Sequence, residues 1–256
     1  MAEHRTTKLE VQGLHKSFVL HTVDGRRIDA LNGIDLSVHT GEHVALVGSS
    51  GAGKSTLLKS VYRTYLPNSG TVTLRLAAGA TVELTGLEDR ELVALRVREI
   101  GYVSQFLRSD PRRSVRDTGA RAGRRRGLDH EASLDAAAEV LRRLGIGENL
   151  WRSYPSLLSG GEKQRVNLAS GIICPPGLLL LDEPVSALDP ANRESVLALI
   201  AELTSWGTTV LAVFHDLDAI ERLADRVVLL SAGTVAESGR PTDVLRTLTT
   251  FEGAIA

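Results

Sequence analysis

The 256-residue sequence holds one cysteine, one methionine and only 4% aromatic residues. A lone thiol, Cys174, cannot close an internal disulfide, so a buried core must hold the fold and a reducing, cytoplasmic setting is expected. Charge of one sign is also missing: 30 Lys and Arg face 31 Asp and Glu, for a formal charge of -1. Such a chain has no overall field to draw it onto nucleic acid or an anionic membrane, and no nucleic-acid partner is expected. No apolar run approaches the roughly 18 residues that span a bilayer. Residues 1–11 are polar and lack the apolar centre of a signal peptide. If membranes matter, another polypeptide supplies the span and this chain sits peripherally at the inner face.

What is present is a globular composition, 43% hydrophobic and 24% charged, with ample length to bury a core. Polar–apolar alternation predicts strands at 8–11 and 31–38, with Asp24 and Gly25 as a turn between them. A short apolar strand at 43–47 runs into a glycine-rich loop, 48–53. Leu57, Leu58, Val61 and Tyr65 then repeat at helical spacing until Pro67 and Gly70. A hairpin is predicted around Gly79, from 71–76 and 81–84. Helices follow at 88–98, 131–144, 162–171, 191–203 and 217–223. Strands are predicted at 100–104, 178–181, 208–214, 227–230 and 234–238. The strand at 178–181 has no polar alternation, as expected when both faces of a parallel sheet are covered. Strands alternating with helices imply an α/β fold with a mainly parallel sheet. Residues 110–127 stand apart, with seven arginines, three glycines and little that is apolar. A block of like charge reads as a solvated loop, with an acidic or anionic partner as the alternative.

The chemistry starts at Gly48, Ser49, Ser50, Gly51, Ala52, Gly53, Lys54, Ser55 and Thr56. The first eight match G-x-x-x-x-G-K-[ST] between a strand and a helix. Glycines let backbone N–H groups turn toward phosphate oxygens, and the helix start adds its positive dipole end. Lys54 is expected on the β- and γ-phosphates of ATP and Ser55 on Mg²⁺. The strand at 178–181 ends in Asp182 and Glu183. Ligands in such sheets bind at the carboxyl ends of strands, which places Asp182 as a second Mg²⁺ ligand and Glu183 as the base that polarises water.

Leu158, Ser159, Gly160, Gly161, Glu162, Lys163, Gln164 and Arg165 resemble the LSGGQ signature of ATP-binding cassette (ABC) ATPases, with Glu162 where Gln is common. The resemblance spans about residues 9–245. It implies a P-loop NTPase with a RecA-like parallel-sheet core, an antiparallel β subdomain and a helical subdomain. The whole chain, 1–256, would be one cassette, with 1–99 and 165–256 as core plus β subdomain and 100–164 as helical subdomain. It implies that Ser159, Gly160, Gly161 and Glu162 touch ATP held by a second cassette, and that Asp189 lies at the interface of the pair. Gln105 resembles the Q-loop glutamine, a catalytic and Mg²⁺-contacting residue. His215 resembles the switch histidine, and Phe18 the ring that stacks on adenine. Val185 departs from the commoner Thr.

Further stretches resemble PhnL-like subunits of the phosphonate carbon–phosphorus lyase system, among them Tyr62 to Pro67 and Ser104 to Arg108. That implies a lyase complex as partner, received near Gln105. The alternative is the motor of a membrane permease of the lipoprotein-release or macrolide-export type. DNA-repair ABC ATPases need a long insert before the acidic motif, yet Leu181 stands only 128 positions after Gly53. Ribosome-binding members carry two cassettes, and this chain has one.

Overall fold

A computed structural model describes residues 6–20, 25–104, 112–186 and 188–253. The first two strands are longer than the alternation predicts: β1 (Thr7–Leu20) and β2 (Arg26–His39). The turn expected at Asp24 and Gly25 lies partly outside the described residues. β1 and β2 join β4 (Ser69–Arg75) and β5 (Thr81–Glu83) in an antiparallel sheet of order β2-β1-β4-β5. Leu9, Val11, Leu14, Ile34, Leu36 and Val38 bury one face of it, as period-two patterning requires.

The second sheet contains β3 (His43–Val47), β6 (Ile100–Val103), β7 (Leu178–Asp182), β8 (Thr209–Val213), β9 (Arg226–Ser231) and β10 (Thr234–Gly239). Its order is β10-β9-β3-β8-β7-β6. Every pairing is parallel except β9 with β10. β6 lies in this sheet, although it begins the segment that the resemblance assigns to the helical subdomain.

Each central strand is wholly buried and its side chains divide between two cores. Leu179 and Leu181 join Val210 and Ala212 on one face. Leu178, Leu180, Leu211 and Val213 face the other, against α1 (Lys54–Val61) and the antiparallel sheet. This two-sided burial is why residues 178–181 show no alternation. The fold is α/β, as expected.

The arginine-rich stretch is not a loop. Residues Val115–Arg125 form a helix, α3, after α2 (Asp89–Glu99). Ser114 caps it by accepting from the Asp117 N–H. Its buried stripe is made of Val115, Gly119, Ala120 and Gly123. A Cβ at Gly119 would lie 2.9 Å from Ile173 and 3.2 Å from Ala137. Small residues thus let α3 seat closely on α4 (His130–Arg143), while Arg121 and Arg125 are exposed. Hydropathy overlooks such a stripe because glycine and alanine carry little apolar area.

The remaining helices are α5 (Gly160–Ile172), α6 (Pro190–Ser205), α7 (Leu217–Leu223) and α8 (Pro241–Gly253). None of the helices in the described residues is long and apolar enough to cross a membrane.

One core residue couples stability to pH. His43 is fully buried beside Phe214, and neither ring nitrogen has a hydrogen-bond partner. Burial pushes its pKa down to about 3, because a charged imidazolium has nothing there to replace water. The unfolded chain binds the proton below about pH 6.5 and the folded chain does not, so stability is complete above that pH and is lost as pH falls toward 3. Between pH 7 and pH 5 the loss is about 2 kcal/mol, at about 1.4 kcal/mol per unit. Urea unfolding at the two pH values should show this component in the wild type and not in His43→Leu.

Candidate active site

The carboxyl ends of the parallel strands gather the predicted residues. The chain leaves β3 at the centre of the sheet, returns at its far edge as β6 and β7, and then fills the gap with β8. The loop 48–53 follows β3, Asp182 ends β7 and His215 follows β8. The loop has the shape its glycines demand. Gly48 has φ 137° and a Cβ there would lie 2.2 Å from the Leu230 carbonyl oxygen. Gly53 has φ 105°, with the Ala30 carbonyl oxygen 2.5 Å from such a Cβ. Ser49, Ser50 and Gly51 are exposed at the crest, while Ala52 is buried beneath it.

Lys54 turns back over this loop. Its Nζ donates to the carbonyl oxygens of Gly48 at 2.7 Å and Ser49 at 2.9 Å. Burial pulls its pKa down, opposed by the charges of Glu183 and Asp182. A cation so placed gains from an anion entering the loop. Ser55 Oγ donates to Asp182 Oδ1 at 2.8 Å. Thr56, the last loop-proximal residue predicted to bind ATP, is half-buried on α1.

Glu183 sits in the left-handed region at φ 54°. Its N–H donates to the Val213 carbonyl at 3.1 Å, which ties it to β8. Its Oε1 lies 2.9 Å from His215 Nε2. Strained backbone of this kind persists where the surroundings over-determine it, and it clusters at active sites. A carboxylate and an imidazole in contact form a pair able to hold and pass a proton.

The signature residues lie on a helix start. Ser159 caps α5: its Oγ accepts from the Glu162 N–H, and Glu162 Oε2 accepts from the Ser159 N–H at 2.8 Å. Donation by the Ser159 hydroxyl, at 2.7 Å from Glu162 Oε2, and then by the Ser159 N–H holds the Glu162 carboxyl below its ordinary range. Gly160 is exposed and a Cβ on it would meet nothing within 4 Å, and Gly161 is half-buried. Among the described residues, no hydrogen bond joins this segment to the phosphate loop. Asp189 is exposed and caps α6 through the Asn192 N–H at 3.1 Å. Phe18 on β1 meets Tyr65 edge-on at 5.0 Å, with Lys16 Nζ 5.0 Å from its ring. Gln105 lies outside the described residues.

Three contacts escape the motif reading. Tyr102 donates its hydroxyl to Asp182 Oδ2 at 3.3 Å. Gln164 Nε2 donates to the Glu183 carbonyl at 3.3 Å, and Asn167 Nδ2 to the Ser104 carbonyl at 2.5 Å. Sequence spacing does not reveal contacts made 80, 19 and 63 positions apart.

Known proteins match this arrangement. The ABC transporter family profile matches residues 31–186. The methionine import ATP-binding protein MetN of Xanthomonas oryzae is 41% identical over 238 residues, 92% of this chain and 68% of its own length. MetN 2 of Pseudomonas aeruginosa is 37% identical over the same shares. Among solved structures, the ATP-binding cassette MJ0796, as a dimer bound to ADP and Pi, has a TM-score of 0.82 at 26% identity, covering 91% of this chain and 98% of that one. With a match over more than half of its length and relatives this similar, the chain belongs to the ABC transporter family as one of its ATP-binding cassette ATPases.

Proposed function

We propose that the chain is the ATP-hydrolysing subunit of a membrane importer, working as a pair of cassettes around two ATP. The observation that carries this reading is the 41% identity, across 92% of the chain, to a methionine import ATP-binding protein. Methionine or a related amino acid is therefore the cargo class to test first. Neither relative named above is a phosphonate lyase component, so the PhnL-like reading has no support there. The transporter alternative is favoured, although toward import rather than lipoprotein release or macrolide export.

The site fits ATP and Mg²⁺ by its own chemistry. Gly48 and Gly53 pack so closely on the Leu230 and Ala30 carbonyls, at positive φ, that any Cβ would clash, so the loop keeps the glycine-dependent shape in which main-chain N–H groups can face a phosphate. Ser55 and Asp182 hold two hard oxygens together, and Mg²⁺ takes few protein ligands, completing its shell from phosphates and water. Bound there, the ion would neutralise phosphate charge. Lys54 holds the phosphates, and Glu183, steadied by His215, orients and deprotonates the attacking water. Ser159, Gly160, Gly161 and Glu162 close the second cassette's site, with Asp189 between the two chains. Phe18 and Tyr65 receive the adenine.

The permease docks, in this reading, at a cleft of about 500 Å³ between α2, β6 and α3. Among the described residues, six cationic side chains line it, including Arg96, Arg121 and Arg125, and no carboxylate does. Tyr62, Val93 and Tyr102 add an apolar wall. An acidic, apolar-tipped segment is the complement. In proteoliposomes holding the permease, the chain should support ATP-dependent methionine uptake. Arg121→Glu with Arg125→Glu should abolish uptake and release the permease while leaving basal ATPase unchanged. Full uptake by that variant would place the contact elsewhere, and absence of uptake by the wild type would remove the methionine assignment.

A further inference from the structure

We propose that Gln164 and Asn167 are positioning residues that tie the signature helix to the two catalytic strand ends of its own chain. The inference rests on the paired-cassette reading and goes beyond it.

α5 follows its cap Ser159, on the surface that the second cassette's nucleotide would meet. Three residues apart, Gln164 and Asn167 project from one side of this helix. Both are buried. Gln164 Nε2 reaches the main-chain oxygen of Glu183, and Asn167 Nδ2 that of Ser104. Neither acceptor is an interior sheet position. Ser104 follows the last residue of β6 and immediately precedes Gln105. Glu183 follows β7, in a left-handed conformation that its neighbours must enforce. The Ser186 hydroxyl, at 3.2 Å, is a further donor to the same Glu183 oxygen.

An α-helix is stiff over so short a span. Gln164 lies five positions from Ser159, on the order of 8 Å along the axis at about 1.5 Å per residue. A shift of the helix start, when phosphate engages it, therefore reaches both amides together. One amide moves the backbone of the water-activating carboxylate. The other moves the end of β6 from which Gln105 departs. ATP in one site thus assembles the other site of the pair through a short, stiff element with two partly buried hydrogen bonds within its first eight residues. Ser104 and Asn167 also line the arginine cleft, so a partner seated there bears on the same bond.

The test replaces each donor with an apolar side chain of similar size, Asn167→Leu and Gln164→Met. Each should lower kcat about tenfold, leave KM for ATP within about twofold, and bring the Hill coefficient for ATP from near two to near one. Asn167→Ser, which keeps a donor, should retain more turnover than Asn167→Leu. In a Glu183→Gln background, both variants should still form the ATP-bound pair. Unchanged kcat and Hill coefficient would overturn the proposal. So would loss of the ATP-bound pair, which would make the two residues structural. Should Asn167→Leu fail to fold, Gln164→Met at the longer contact carries the same prediction. If Glu183→Gln alone forms no ATP-bound pair, the paired reading itself fails, and this inference with it.

Discussion

Glu183→Gln should retain ATP binding while turnover falls by about 10²–10⁴-fold, the contribution of a positioned acid–base group. The substitution is nearly isosteric. The left-handed backbone at 183, its bond to Val213 and the Gln164 contact all involve main-chain atoms, which the change leaves alone. What is lost is the basic oxygen 2.9 Å from His215 Nε2. An amide cannot accept a proton from water, so ATP persists and a nucleotide-bound pair accumulates. Gel filtration with ATP should show the larger species for the variant and only a transient one for the wild type. Turnover at the wild-type rate would remove Glu183 from the role of base and leave it as an anchor for His215.

Gly160→Asp should abolish turnover without weakening nucleotide binding by a single chain. The prediction separates a site completed by a second copy from one completed within the chain. Ser159 is a poor position for that test, because its side chain caps α5 and the loss of a cap costs about 1 kcal/mol of stability. Gly160 is free of this complication: it is exposed, its φ is not in the left-handed region, and a Cβ there meets nothing within 4 Å. A carboxylate in the first turn even suits the helix dipole, so the melting temperature should hold. The same carboxylate would face the γ-phosphate of the partner's nucleotide and repel it. Calorimetry should give wild-type ATP affinity for the monomer beside absent turnover. Weakened binding in the monomer would mean that the signature contacts nucleotide in its own chain.

The local chemistry was legible in the residue order. A phosphate loop must contain glycines with a lysine and hydroxyl behind them, and Gly48 to Ser55 can be read for that reason. The apolar strand ending in Asp182 and Glu183 is equally local. The α3 helix was not legible, because a stripe of glycine and alanine has meaning only against α4 and Ile173, which lie elsewhere in the chain. Its charges point to a loop until that neighbour is known. The PhnL-like reading rested on short stretches outside the chemistry, and similarity over 92% of the chain favours a transporter instead.

By itself, then, the sequence determined the family, since the glycine-rich loop, the acidic pair and the signature-like run are each contiguous and recognisable from the spacing of a few residues. Only the tertiary structure decided which of these groups touch. The parallel order β3-β8-β7-β6 brings Ser55 to Asp182 across 127 positions and His215 to Glu183 across 32. It also folds Arg116, Arg121, Arg124 and Arg125 into one helix, sets Arg113, Arg121, Arg125 and Arg126 along a cleft, and aims the Gln164 and Asn167 amides at the main-chain oxygens of Glu183 and Ser104. Hydrogen bonds act over about 3 Å, and distance of that kind is set by the path of the chain through the sheet.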